Sequence, residues 1–425
     1  MSGKCPICDE ALRSGLCPVC GYDESRDYER WPTLQVIPDG MRAMPVQAGI
    51  IDVEMELSRI RAEEDPAKRR AICSRWYRAA VRGSAEAQYC LGCCCAYGIG
   101  VDQDIGKAAA WYRKAAEQGY TPAQKRLGDC FSYGRGVEQD DARAAQWYRK
   151  AAEQGYPAAQ NDLGDCYRCG RGVERDEARA AAWYRRAAEQ GDMWAQGALG
   201  NCYYYGRGVE RDETRAALWY QRAAEQGHPT ARKRLSAPEL QRKLGDYYYR
   251  QGDTAKSAKR AALWYHRAAV QGDVWAQKRL GGCYRAGRGV TRDDARALLW
   301  YQRAAEQGDA EAQEMVGDCC WRGEGTPRNP VAAAGWYRRA AGQNAASARA
   351  KLDAPAFQFA LGSCYHEGEQ TEKNEEMAVQ CYQRAAEQGH RGAMEALSRC
   401  YRLGLGVRRD LTQAAKWQLR AKKGQ

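Results

Sequence analysis

The sequence predicts an all-α protein: a solenoid of about nine 36-residue helix-turn-helix repeats behind a small N-terminal knob. Three observations carry this. The motif Ala-Ala-Glu-Gln-Gly recurs with small variations, its last residue falling at Gly119, Gly155, Gly191, Gly227, Gly272, Gly308, Asn344 and Gly389, in steps of 36 residues apart from two of 45. Within each step apolar residues stand three and four apart, the spacing of one helix face. Seven residues before each tryptophan position stands a short polar side chain: Asp104, Asp140, Asp176, Asp212, Ser257, Asp293, Asn329, Asn374 or Asp410. Such side chains accept from the free N–H groups of a first helical turn. A fixed period of this length marks units that bury their apolar faces only by stacking.

Taken in order, the chain opens on Cys5-Pro6-Ile7-Cys8 and Cys17-Pro18-Val19-Cys20. Two such pairs can meet one tetrahedral zinc, and four thiolates leave no open coordination position. The pattern resembles a short zinc ribbon, so residues 1–21 are expected to be a knob stapled by one structural zinc, with no reactivity of its own. Residues 22–65 read as an acidic tether, in which Asp52 to Glu64 is either a short helix or loosely ordered chain. The repeats fill 66–425, preceded by a lone second-type helix with Trp76 and Tyr77.

Each repeat begins with a helix of the form Ala-Gln-x-x-Leu-Gly-x-Cys-Tyr, as at Ala159 to Tyr167. A Gly-x-Gly-Val turn follows, as at Gly170 to Val173, where glycine can take the left-handed conformation. After the capping residue comes the second helix, Ala-Ala-x-Trp-Tyr-x-x-Ala-Ala, as at Ala180 to Ala188. A glycine after the key leucine, as at Gly164, predicts a neighbouring backbone passing close by; Ser398 replaces it once. The 45-residue steps carry nine extra residues around Pro238 and Pro355, which are expected to break or restart the first helix.

Leu-Gly-x-x-Tyr, Gly-x-Gly-Val, the capped loop and Trp-Tyr-x-x-Ala-Ala-Glu-Gln-Gly together resemble the Sel1-like repeat family, a subclass of tetratricopeptide-like solenoids. The resemblance covers about residues 66–425. It implies a right-handed superhelix, first helices lining a concave groove, and a scaffold or adaptor role. Secreted cysteine-rich members pair the first-helix cysteine with one at the end of the next helix. Here that end carries no thiol, so Cys94, Cys130, Cys166, Cys202, Cys283, Cys319, Cys364 and Cys400 read as reduced core residues.

The net charge is +12. The first 65 residues hold seven Lys or Arg against thirteen Asp or Glu, and the remainder 59 against 41. The chain opens without an apolar segment and has no run of eighteen apolar residues. A cytoplasmic protein without a membrane span is therefore expected, and the chain as a whole reads as a bacterial one. The four histidines fall in different repeats and no catalytic motif is present, so no enzyme activity is expected.

Positions two before, two after and five after the key leucine share one helix face and vary most between repeats. They nominate Lys125, Asp129, Arg168, Tyr204, Asp246, Tyr249, Arg285, Asp318 and Trp321 for binding a protein or peptide partner, with the aromatics as anchors. The alternative is a nucleic-acid-associated protein using the zinc ribbon and a basic stripe on the second helices, from Lys107 and Lys114 through Arg179, Arg186, Arg215 and Arg222 to Arg296 and Arg303. Against it, Glu117, Glu153 and Glu189 are placed for ordinary intrahelical pairing with that stripe.

Overall fold

The computed structural model describes residue 63 and residues 65–251 and 254–423. The knob with Cys5, Cys8, Cys17 and Cys20, and nearly all of the tether, lie outside the described residues. The described residues form twenty-one helices and no strand, in two compact units divided between Leu240 and Gln241.

In the first unit α1 (Pro66–Val81) precedes the hairpins α2–α3 (Ala85–Tyr97, Ile105–Glu117), α4–α5 (Thr121–Tyr133, Asp141–Glu153), α6–α7 (Pro157–Cys169, Glu177–Glu189) and α8–α9 (Met193–Tyr205, Glu213–Glu225). A short helix, α10 (Pro229–Leu235), follows. The division falls within α11 (Pro238–Arg250). This helix pairs with α12 (Ala255–Val270), and the hairpins α13–α14 (Val274–Ala286, Asp294–Glu306) and α15–α16 (Ala310–Arg322, Pro330–Gly342) come next. The second short helix, α17 (Ala346–Asp353), leads to α18–α19 (Pro355–Glu367, Glu375–Glu387) and α20–α21 (Arg391–Leu403, Leu411–Lys423). The described residues make nine hairpins, and each extra nine-residue insert is a short helix ended just before a proline.

The local signals place the helix ends. Asp104, Asp140, Asp176, Asp212, Asp293, Asn329 and Asn374 each accept from a backbone N–H of the following turn. Asp410 does so from Gln413. Ser257 does not cap its helix: Thr254 does, accepting from the Ser257 N–H, and α12 starts one turn earlier than expected. This repeat lacks the Gly-x-Gly-Val turn, so the helix extends towards the shorter connection. In the regular turn both glycines are left-handed, as at Gly170 (φ 71°) and Gly172 (φ 66°). A Cβ on Gly172 would collide with the backbone carbonyl of Asp141, so this turn is pressed onto the second helix of the repeat before it.

The glycine after the key leucine has another cause than the expected close backbone. A Cβ at Gly92, Gly128, Gly164, Gly200, Gly245, Gly281, Gly317 or Gly362 would come within 2.5–2.8 Å of a buried tyrosine ring on the second helix of the same repeat. The rings belong to Tyr112, Tyr148, Tyr184, Tyr220, Tyr265, Tyr301, Tyr337 and Tyr382. The exception fits the rule: where Ser398 replaces glycine, the tyrosine position holds Gln418, and the Ser398 hydroxyl donates to the Ala414 carbonyl at 2.7 Å.

Glutamines tie three helices together. Gln160 Nε2 donates to the carbonyl of Ala152 at the end of α5 (3.1 Å), while its Oε1 accepts from Gln190 at the end of α7 (2.8 Å). The same arrangement holds at Gln124, Gln196, Gln277 and Gln313. It lapses after α17, where Gln358 turns to the Leu352 carbonyl and Gln388 to that of Asp353. Between the helices lie buried alanines, leucines and the cysteine column, all of whose members are buried and none of which forms a disulfide among the described residues.

Candidate functional site

The face of the first helices differs from repeat to repeat, and in most repeats it is closed by ion pairs. Lys125 Nζ lies 2.9 Å from Asp129 and 3.2 Å from Asp162 of the next repeat. Lys278 reaches Asp309 and Glu311 at 3.0 and 2.7 Å, and Lys351 reaches Glu314 and Asp318 at 2.6 and 2.7 Å. Burial opposes the charge on Lys125, yet Asp162 and Asp129 hold its pKa above the ordinary lysine value. Burial pushes Asp162 up to about 6, with Lys125 pulling the other way.

The residues nominated from the sequence are mostly engaged inside this lattice. Asp129, Asp246 and Asp318 accept from the hydroxyls of Tyr148, Tyr265 and Tyr337 at 2.7–2.9 Å. Arg168 donates to Asp165 and to Tyr184. Arg285 lies over the Tyr301 ring at 5.7 Å. Tyr204 is half-buried against Tyr205, and Tyr249 packs on Tyr265 beneath Arg288, 3.8 Å from its ring. Trp321 is half-buried between Phe357 (5.0 Å) and Arg328 (4.2 Å). The aromatic anchors therefore offer edges, and the carboxylates already hold tyrosines.

One stretch is open. Across α6, α8 and α10 a groove of ≈ 680 Å³ is lined by Asp162, Asp165, Arg168, Trp194, Gly197, Asn201, Tyr205, Arg207, His228 and Arg234, among others. No ion pair forms at this position, because Gly197 stands where other repeats carry Lys125, Lys278 or Glu314. The space over Gly197 is taken by the His228 ring, which a Cβ would meet at 2.6 Å. His228 in turn backs Trp194 at 4.6 Å, leaving the indole 55% exposed, and Tyr205 is 44% exposed. Burial holds the His228 pKa below the ordinary histidine value.

Of the nominated residues, only Arg168 lines this groove. Trp194, Tyr205, Arg207 and Arg234 went unnoticed in the sequence. Trp194 stands five before the key leucine and Tyr205 six after it, outside the register used; Trp275 repeats the first position. The signal available was a tryptophan where other repeats carry Glu86, Pro122 or Ala158.

The basic stripe is occupied. Lys107, Arg143, Arg179, Arg215 and Arg296 lie 3.1–3.4 Å from the capping aspartates of their own helices. Lys114, Lys150, Arg186, Arg222, Arg267 and Arg303 lie over the tryptophans three residues before them at 4.1–4.7 Å. Cap and ring therefore hold these cations. Among the described residues no group of three His, Cys, Asp or Glu side chains is placed to hold a metal ion, and no helix is long and apolar enough to cross a membrane.

Comparison with known proteins adds to this geometry. A profile of the Sel1 repeat matches nine segments: 85–120, 121–156, 157–192, 195–228, 238–273, 276–309, 310–344, 355–390 and 392–423. Among solved structures the chain is similar to c5321, described as a protective antigen present in uropathogenic Escherichia coli strains displaying an SLR fold. That match has 32% identity over 83% of this chain and 89% of the other, with a TM-score of 0.37. It is also similar to a Sel1 repeat protein from Oxalobacter formigenes, at 29% identity over 74% and 86% of the two chains and a TM-score of 0.30. No curated protein matches significantly.

Proposed function

The chain belongs to the Sel1 repeat family, and from that membership we propose that it is a non-enzymatic scaffold or adaptor, binding a segment of a partner protein along its first-helix face. The observation that carries this reading is the groove at Trp194 and Tyr205, where Gly197 removes the charged side chain that makes ion pairs at Lys125, Lys278 and Glu314. Large, pre-packed aromatics dominate interface energetics because they bury much area at little entropic cost. Trp194, already backed by His228, is such an anchor. The test is affinity capture from the source cell with the intact chain beside its Trp194→Ala and Tyr205→Ala variants. A partner recovered by the parent and lost from both variants supports the groove. Equal recovery from all three would remove it.

We also propose that Cys5, Cys8, Cys17 and Cys20 hold one structural zinc, on the strength of their spacing alone. Metal analysis of freshly purified, reduced protein should find about one zinc per chain, and finding none would end that proposal. A bacterial cytoplasm suits the thiols, which form no disulfide among the described residues.

A further inference from the structure

This step rests on the groove reading and specifies its occupant. We infer that the groove takes an acidic segment of a partner protein, with a carboxylate side chain held by Arg207 and Arg234 and an apolar residue against Trp194.

The charge distribution in the groove leads to this. Its three carboxylates are already engaged: Asp162 with Lys125 at 3.2 Å, Asp165 with Arg168 at 2.7 Å, and Glu177 with Arg175 at 2.6 Å. Arg207 and Arg234 meet no carboxylate among the described residues. Both lie over the same ring, their Cζ atoms 4.9 and 5.4 Å from the centroid of Tyr205. Two guanidinium groups gathered on one exposed tyrosine, at the edge of a groove, form a positive focus that its own walls leave unneutralised. The planar fork of arginine matches a carboxylate with two parallel hydrogen bonds.

The pair is specific to this place. Two repeats earlier Tyr133 and Arg135 make the same ring contact at 5.1 Å, but the position answering to Arg234 is Asp162. Arg234 comes from α10, the short helix of the first 45-residue step. The insert therefore brings the second cation. The apolar part of the site is Trp194, more than half exposed yet fixed from behind by a histidine whose burial disfavours its charge. A nucleic acid is the poorer occupant, because a phosphate chain needs a row of free cations, whereas Arg168 in this groove is held by Asp165 and only Arg207 and Arg234 among its described residues are uncommitted.

Selection of phage-displayed linear peptides on the intact chain tests this. Enrichment of peptides with two or more Asp or Glu beside an apolar residue is expected. Arg207→Glu combined with Arg234→Glu should weaken those peptides at least about tenfold and shift the enrichment to Lys and Arg. The uncharged pair Arg207→Gln with Arg234→Gln, checked by circular dichroism, guards against a folding defect and should weaken them in the same direction. Peptides that depend on Trp194 but are no more acidic than the starting library would overturn the acidic occupant and leave the groove reading standing. Failure to enrich any peptide, or enrichment insensitive to Trp194→Ala, would remove both. A labelled oligouridylate that binds the parent and is lost from the double variant, with no peptide enriched, would assign the arginines to nucleic acid instead.

Discussion

Tyr148 and Tyr301 occupy the same place in their repeats and differ in one partner. The Tyr148 hydroxyl donates to Asp129 at 2.9 Å, whereas at Tyr301 the acceptor position is Gly282 and the buried hydroxyl has no hydrogen-bond partner among the described residues. An unsatisfied buried hydroxyl is costly and a satisfied one contributes modestly. Tyr148→Phe should therefore destabilise by about 1 kcal/mol, while Tyr301→Phe should be neutral or stabilising in a urea melt. A loss at Tyr301 equal to that at Tyr148 would show that the hydroxyl has an acceptor. Asp162 gives a pH dependence from the same face. Its folded pKa, raised to about 6 from 3.8, makes the protonated form the one that folding favours. The stability this contributes is complete below the unfolded value and lost as pH rises through about 6. Asp162→Asn, which mimics the protonated state, should raise stability at pH 8 by about 1–3 kcal/mol, with the gain fading towards pH 4. A gain independent of pH would mean that Asp162 titrates normally.

At the scale of the element, the glutamine tie is the connection that crosses from one hairpin to the next. Gln160 is buried and holds both α5 and α7, so Gln160→Ala removes an acceptor from Gln190 and a donor from Ala152 together. The expected loss is about 1–3 kcal/mol. The corresponding change at Gln358, whose Oε1 has no partner among the described residues, should cost less. Thermal melts of the two variants compare these directly, and equal losses would show that the tie adds nothing. Helices, caps and turns were legible in the sequence because they depend on neighbours in the chain: an aspartate and the N–H three residues on, a glycine and the helix it ends. Contacts between elements were less so. The glycine beside the key leucine was visible as a rule, but its cause, a tyrosine ring twenty residues later, appears only when the helices pack. The groove was hidden for the same reason. It depends on the charged side chain that Gly197 lacks, on His228 filling that space, and on Arg234 arriving from an insert whose proline marks only a break in the first helix.

At the scale of the whole molecule the net charge of +12 invites an electrostatic role, and the packing of that charge argues against it. A basic surface binds phosphate chains through cations free to exchange small counterions. In the second helices Arg179 and Arg215 lie on their own capping aspartates, and Arg186 and Arg222 lie on tryptophans. Replacing Arg179, Arg186, Arg215 and Arg222 with alanine should then act on stability. Exposed ion pairs contribute about 0–1 kcal/mol each and exposed cation–π contacts about 0.5–1. Solenoid stability is close to a sum over neighbouring units, so the quadruple variant should lose roughly 1–3 kcal/mol while remaining helical. Partner capture should survive at temperatures where the variant is folded, because none of the four lines the groove at Trp194. The measurement is a urea melt paired with capture at two salt concentrations. An unchanged melt with capture abolished, and a parent interaction that weakens steeply with salt, would make the stripe the binding surface and displace the groove.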